Sequence, residues 1–138
     1  MVLNFHINGG DFVNAGKASS GVKGVLKQMD VSAKRIKRVV IALYETEVNV
    51  VAHAGKGDIE AIIESDTIEV TVRDSGPGIP DIEQAMKEGY STASKEVREM
   101  GFGAGMGLPN IKRNSDSFFI ESIPGEGTTV KFINDLKD

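Results

Sequence analysis

The chain has no cysteine, no tryptophan and only four prolines, and its longest clean apolar run is Val39 to Leu43. Without cysteine there can be no disulfide, and a zinc site would have to rest on two distant histidines, His6 and His53. A reducing, cytoplasmic setting fits. The apolar run is far shorter than the roughly 20 residues that span a bilayer. The N-terminal stretch MVLNFHINGG lacks the pattern of a secretory leader, so no signal peptide is expected. Basic residues are not in excess either: 16 Lys plus Arg against 20 Asp plus Glu give a formal charge of -4. That balance argues against a nucleic-acid binder working by phosphate neutralisation and against a polybasic membrane anchor. At about 100 to 200 residues per domain, a chain of 138 residues is expected to form a single domain over 1–138.

Glycine is abundant. Seven of the sixteen (Gly76, Gly78, Gly89, Gly101, Gly103, Gly105, Gly107) fall between residues 76 and 107. Around them the periodicities predict ordinary elements. Val2 to Ile7 reads as a strand ending at NGGD. A helix is expected from Val13 to Met29, weakened by glycines at 16, 21 and 24, each worth about 1 kcal/mol against Ala in a helix interior. A stronger helix starts at the N-cap Ser32, and its apolar positions Ile36, Val39, Val40, Leu43, Val50, Val51 and Ala54 repeat at helical spacing until Gly55. Ile59 to Glu64 and Thr67 to Arg73 read as a hairpin, with Ile68, Val70 and Val72 facing one way. Short helical pieces are expected at Ile82 to Lys87 and Ser94 to Met100, a further helix at Met106 to Asn114, and strands at Ser117 to Ser122 and Thr128 to Asn134. This order predicts an α/β two-layer sandwich, a sheet covered on one face by helices.

Four constellations have chemical potential. Glu45, Asn49 and His53 are spaced by four on the second helix and so form one polar stripe. A carboxylate and an amide there can supply a general base and an oxygen ligand for Mg²⁺; the alternative is a solvated polar face. In DSGPGIP, residues 74–80, Asp74 ends a strand before two glycines. The motif lets backbone approach a planar ligand while a fixed carboxylate accepts, for instance from an adenine amino group, or else forms a plain turn. In GFGAGMGLPNIKR, residues 101–113, glycine at every second position cannot be a helix interior. A loop of backbone amides leading into a helix start suits phosphate. It is neither a Walker A loop nor a G-x-G-x-x-G fingerprint. GEGTTV, residues 125–130, is by itself an ordinary hairpin turn leading to Thr128. Glu47 is the oddity, because the helical wheel puts it in the middle of the apolar stripe. Its head is expected to escape to solvent while its stem packs, to meet a cation or partner, or to accept a raised pKa.

Taken together, ETEVN on a helix, DSGPG after a strand, a lid ending in GxGxGL and a late GTT resemble, in order and over roughly residues 32–134, the ATP-binding domain of the GHKL superfamily. This is the Bergerat fold shared by gyrase, histidine kinases and MutL. Within it, the short chain, the stretch AHAGKG and the lid end GAGMGLPNIKR look most like the anti-sigma-factor serine/threonine kinases and switch-protein kinases. The resemblance implies a mixed, mostly antiparallel sheet covered on one face by three helices, with an ATP lid over about residues 79–106. It implies ATP and Mg²⁺ as cofactors, Glu45 as catalytic base and Asn49 as metal ligand. It further implies Asp74 as acceptor from adenine with Gly76 and Gly78 at the base, and Thr128 holding a water beside Asp74. Gly103, Gly105, Met106, Gly107 and Leu108 would form the phosphate-wrapping end of the lid.

The implied function is phosphorylation of a Ser or Thr on a STAS-domain antagonist protein in a partner-switching system, with a sigma factor or a phosphatase as further partners, no nucleic acid, no membrane, and a homodimer allowed. Two alternatives stay open. One is an ATP-gated binding switch with little catalysis. The other is a detached histidine-kinase catalytic domain acting in trans, though self-phosphorylation is not expected because His6 falls in a predicted strand. Gyrase-like or MutL-like action is not expected, since 138 residues leave no transducer domain. Lys95, Arg98 and Lys112 are candidate lid cations. His53 has either a site role or a packing and helix-capping one. The cluster Lys34, Arg35, Lys37, Arg38 near a helix start hints at an acidic partner, against a plain solvated face.

Overall fold

The computed structural model describes residues 1–53, 55–79, 82–87 and 107–137. In chain order these form β1 (Val2–Asn8), a 3₁₀ turn (Phe12–Asn14), α1 (Lys17–Gln28), α2 (Ala33–His53), β2 (Lys56–Ile63), β3 (Thr67–Asp74), the single turn α3 (Ile82–Ala85), α4 (Gly107–Arg113), β4 (Ser117–Ile123) and β5 (Gly127–Asp135). The five strands make one sheet in the order β1-β2-β3-β5-β4. All four neighbouring pairs are antiparallel.

Each boundary has a local cause. α2 starts where expected, with the backbone N–H of Arg35 donating to the Ser32 hydroxyl at 3.3 Å. α1 starts later than the periodicity suggests, at Lys17 rather than Val13, because Gly16 at φ +100° separates it from the 3₁₀ turn. It ends in a left-handed Asp30 at φ 60°. There the N–H of Val31 reaches back to the Leu26 carbonyl at 3.2 Å, and that of Asp30 to Lys27 at 3.1 Å, the Schellman pattern that satisfies last-turn carbonyls. Gly21 does not break α1: the Phe5 ring of β1 lies 3.2 Å from where its Cβ would be, so the missing side chain lets β1 pack close.

α1, α2 and α4 cover one face of the sheet. The core between the layers holds Val22 and Leu26 of α1, Val39, Leu43 and Val50 of α2, Ile111 of α4, and Ile59, Ile68, Val70 and Phe132 of the sheet, all at most 2% exposed. Full burial of each large apolar side chain is worth about 1.5–3 kcal/mol. Ile68, Val70 and Val72 share the buried face of β3 as their alternation predicts.

One topological feature positions the site. The chain leaves the sheet after β3, returns through α4 to the edge strand β4, and only then inserts β5 beside β3. The start of β5 thereby lies against the end of β3, with Arg73 paired to Thr129. On its other side Asp74 pairs with Gly57 of β2. A Cβ on Gly57 would come within 2.9 Å of Val50 on α2, so the second half of α2 sits over this end of the sheet.

Candidate functional site

The first group of site residues is built on the ends of β3 and β5. Asp74 Oδ1 accepts from the backbone N–H of Gly76 at 3.0 Å and of Thr128 at 3.1 Å. Both bonds fall on one oxygen, and no described residue donates to Oδ2. The carboxylate is thus held by backbone yet keeps an acceptor for an outside donor. The following loop is tied to the β4–β5 hairpin: Gly125 N–H donates to the Pro77 carbonyl at 2.7 Å, and Ile79 N–H to the Ser122 hydroxyl at 2.6 Å. Gly78, at φ +79°, has no room for a side chain, since a Cβ would lie 2.6 Å from the Ile123 carbonyl oxygen. Its glycine requirement therefore comes from hairpin packing and backbone conformation.

Ser122 also donates to the Gly127 carbonyl at 3.2 Å and lies 2.8 Å from the Thr128 hydroxyl. With its own proton used on Gly127, Ser122 accepts the Thr128 proton. Thr128, 8% exposed, then retains lone-pair capacity next to Asp74. Ser122 was not among the expected site residues. Its only sequence signal is its inward place in the alternation of β4.

The second group lies between α2 and α4. Glu45 and Asn49 are half-buried one turn apart on α2. Burial pushes the Glu45 carboxyl above the usual Glu range, and a hydrogen bond from the Asn110 side chain draws it part of the way back. At the first residue of α4, a Cβ on Gly107 would stand 2.9 Å from Asn49 Oδ1. Gly107 therefore lets the chain returning from the lid pass directly against the Asn49 amide. The side chain of Leu108, a residue expected at the phosphate end, packs on the hydrophobic core. Asn110, three residues after Gly107 in the same motif, was not among the expected site residues.

Glu47 is 2% exposed, so its head does not escape to solvent, and no cation among the described residues holds it. Its carboxylate accepts three backbone N–H groups at the start of α1: Oε2 from Gly16 at 3.0 Å and Ala18 at 3.1 Å, Oε1 from Ser19 at 2.7 Å. The first N–H groups of a helix lack intrahelical partners and carry partial positive charge. Gly16, the residue preceding α1, has no side chain to cap them, and Glu47 supplies that cap from another helix.

The basic cluster is divided. Arg38 pairs with Asp116 at 2.7 Å. Lys37 joins Lys23 and Lys27 around an open groove of about 610 Å³ floored by Val31, Ile36, Val40 and Ile41. Lys112 is exposed on α4. Gly103, Gly105, Met106, Lys95, Arg98 and the helix expected at 94–100 lie outside the described residues, as does most of the lid. His53 ends α2, and its side chain is likewise outside them. No described helix is long and apolar enough to cross a membrane.

Residues 12–134 match the histidine kinase-like ATPase domain family. The chain is similar to the serine/threonine-protein kinase RsbT of Bacillus subtilis (strain 168), with 34% identity over 119 residues, 83% of this chain and 84% of that protein. It is also similar to the anti-sigma F factor of Thermoanaerobacter sp. (strain X514), 32% identical over 123 residues, 86% of this chain and 82% of that one. Among solved structures, the mycobacterial sensor histidine kinase MprB shares the fold, with a TM-score of 0.56 at 13% identity over 98% of this chain and 99% of that one.

Proposed function

The chain belongs to the histidine kinase-like ATPase domain family, in the anti-sigma-factor kinase branch of the Bergerat-fold superfamily, and from that premise we propose that it is an ATP- and Mg²⁺-dependent serine/threonine protein kinase. Its substrate in this reading is a STAS-domain antagonist protein, and phosphorylation switches partners, with a sigma factor or a phosphatase as the alternative partner in the cytoplasm. The name carried by the Bacillus subtilis relative supports the kinase activity, and that of the Thermoanaerobacter relative supports a sigma-factor partner.

The observation that carries the reading is Glu45. A carboxylate whose proton affinity is raised by desolvation, one turn from an oxygen ligand and facing the helix that closes the lid, suits a base that takes a hydroxyl proton. In the proposed reaction the acceptor hydroxyl oxygen bonds to the γ-phosphorus, its proton passes to Glu45, and the bond from phosphorus to the β,γ-bridging oxygen breaks to release ADP. Asp74 Oδ2 accepts from the adenine amino group, and Thr128 holds a water beside it. Asn49 would supply an oxygen to Mg²⁺, which offsets phosphate charge when bound. Among the described residues no group of three or more His, Cys, Asp or Glu is arranged to hold a metal, and a Mg²⁺ ion carried mainly by substrate phosphates and waters would not need one. That is how Mg²⁺ is commonly held in kinase sites. Such transfer depends mainly on positioning and charge neutralisation.

The test is incubation with labelled ATP, Mg²⁺ and the STAS-domain proteins encoded beside this chain. Acid-stable label on one of them, lost with Glu45→Ala, is expected. Absence of label, or equal labelling by the variant, defeats the assignment. ATP-driven partner release that survives Glu45→Ala but not Asp74→Asn would mark an ATP-gated binding switch instead.

A further inference from the structure

Glu45 is a long side chain, and an unrestrained one samples several rotamers. A proton acceptor has to be held within hydrogen-bond reach of the group it serves, so something in the structure must hold this one. On α4, Asn110 lies between two neighbours of opposite character. Arg113 Nη1 donates to Asn110 Oδ1 at 3.0 Å, and across the packed seam of α2 and α4 the Asn110 side chain comes within reach of Glu45. A guanidinium can only donate and an ionised carboxylate can only accept. The amide therefore has one consistent orientation, with Oδ1 toward Arg113 and Nδ2 toward Glu45.

α4 itself is anchored. Pro109 and Ile111 are buried, the Asn114 side chain donates to the Asn110 carbonyl at 2.9 Å, and the buried Asn134 side chain donates to the Asn114 carbonyl at 2.8 Å. Gly107 against Asn49 and Asn110 against Glu45 are thus two contacts one turn apart on both helices.

We propose that Asn110 is a positioning residue for Glu45: its amide donates to the carboxylate and fixes the side chain toward the site, and Arg113 fixes the amide. This rests on the reading of Glu45 as the base. Because α4 begins where the lid ends, the seat of this helix sets the rotamer of the base as well as the approach to Asn49.

The full chain carrying Asn110→Ala and Asn110→Asp provides the test. In the phosphorylation assay, Asn110→Ala is expected to lower kcat by about 10²-fold, the penalty of a misplaced catalytic group, with KM for ATP unchanged. Asn110→Asp, which sets a carboxylate against a carboxylate, is expected to lower it further. A merely structural role would treat the two alike. Independently of turnover, side-chain NMR couplings of Glu45 are expected to report one rotamer in the wild type and an average in Asn110→Ala. Identical couplings in the two proteins overturn the proposal. If Glu45→Ala abolishes labelling while both Asn110 variants label like the wild type, positioning fails and the base assignment stands. If Glu45→Ala has no effect but Asn110→Ala frees the side chain, the base assignment fails and positioning stands.

Discussion

Two glutamates, two residues apart on α2, show how differently one helix treats its two sides. Glu47 points toward α1, is 2% exposed, and spends its acceptor capacity on three backbone N–H groups. Glu45 points toward α4, is half-buried, and among the described residues meets one side-chain amide, that of Asn110. The first side is dry and saturated, which makes a joint. The second is half-buried and, among the described residues, offers a single side-chain donor, which leaves acceptor capacity for the chemistry proposed for Glu45. Residue type does not separate the roles. The number of donors around each carboxylate does.

The largest effect that can break this contrast is on turnover. Glu45→Gln is expected to lower phosphoryl transfer by about 10²- to 10⁴-fold, the usual worth of general base catalysis. Calorimetric melting should meanwhile show no loss of stability, because burial already disfavours the charged form of Glu45. Glu47→Ala is expected to do the reverse. Three N–H groups at the start of α1 lose their acceptor, at a cost of about 3 kcal/mol read from denaturant unfolding. The molecules that remain folded should keep their turnover. A Glu47→Ala protein as stable as the wild type would sink the joint, and a Glu45→Gln protein that still transfers phosphate would sink the site.

The same contrast explains what was legible in the sequence. The turn around Asp74, the proposed adenine end, was readable because it is local: Asp74 and Gly76 are neighbours in a motif that ends a strand, and the alternation of β3 placed it. The Glu45 and Asn49 stripe followed from helical spacing alone, and Ser32 announced the start of α2. The role of Glu47 was not readable, because the groups it caps lie 28 to 31 residues earlier and only the packing of α1 on α2 brings them together. Ser122 and Asn110 were missed for a related reason. Each acts through a partner on a different element, and neither residue type is unusual where it stands. The lid was named from its glycines, yet most of it falls outside the described residues.

A third substitution asks whether the proposed adenine end behaves as a joint or as a site. Asp74 has one oxygen in each state: Oδ1 is saturated by Gly76 and Thr128, while Oδ2 has no donor among the described residues. Asp74→Asn can keep the first and turns the second into a donor. Nucleotide affinity measured by calorimetry is expected to fall by about 10²-fold, the value of a hydrogen bond to a charged group plus an opposed donor. Melting should hardly move. A large drop in stability would show that both oxygens serve the fold.

The smallest expected effect concerns how firmly the α4 side is held. Arg38 lies seven residues before Glu45 and so on the same side of α2, and it pairs with Asp116 just after α4 at 2.7 Å. Burial works to raise the Asp116 pKa, but the hydrogen bonds from Arg38 and from the Asp135 backbone more than offset it, so the folded value lies below the ordinary one. A depressed carboxyl stabilises the fold above its unfolded pKa, and that contribution is lost as pH falls through the folded value. Both partners are about a third exposed, so Arg38→Ala should cost no more than about 1 kcal/mol at neutral pH, and high salt should shrink the cost. In acid, once Asp116 is protonated in both states, variant and wild type should melt together. A cost that persisted in acid would mean that Arg38 works through packing of its stem. The α4 side of α2 would then be a joint of the same kind as the α1 side.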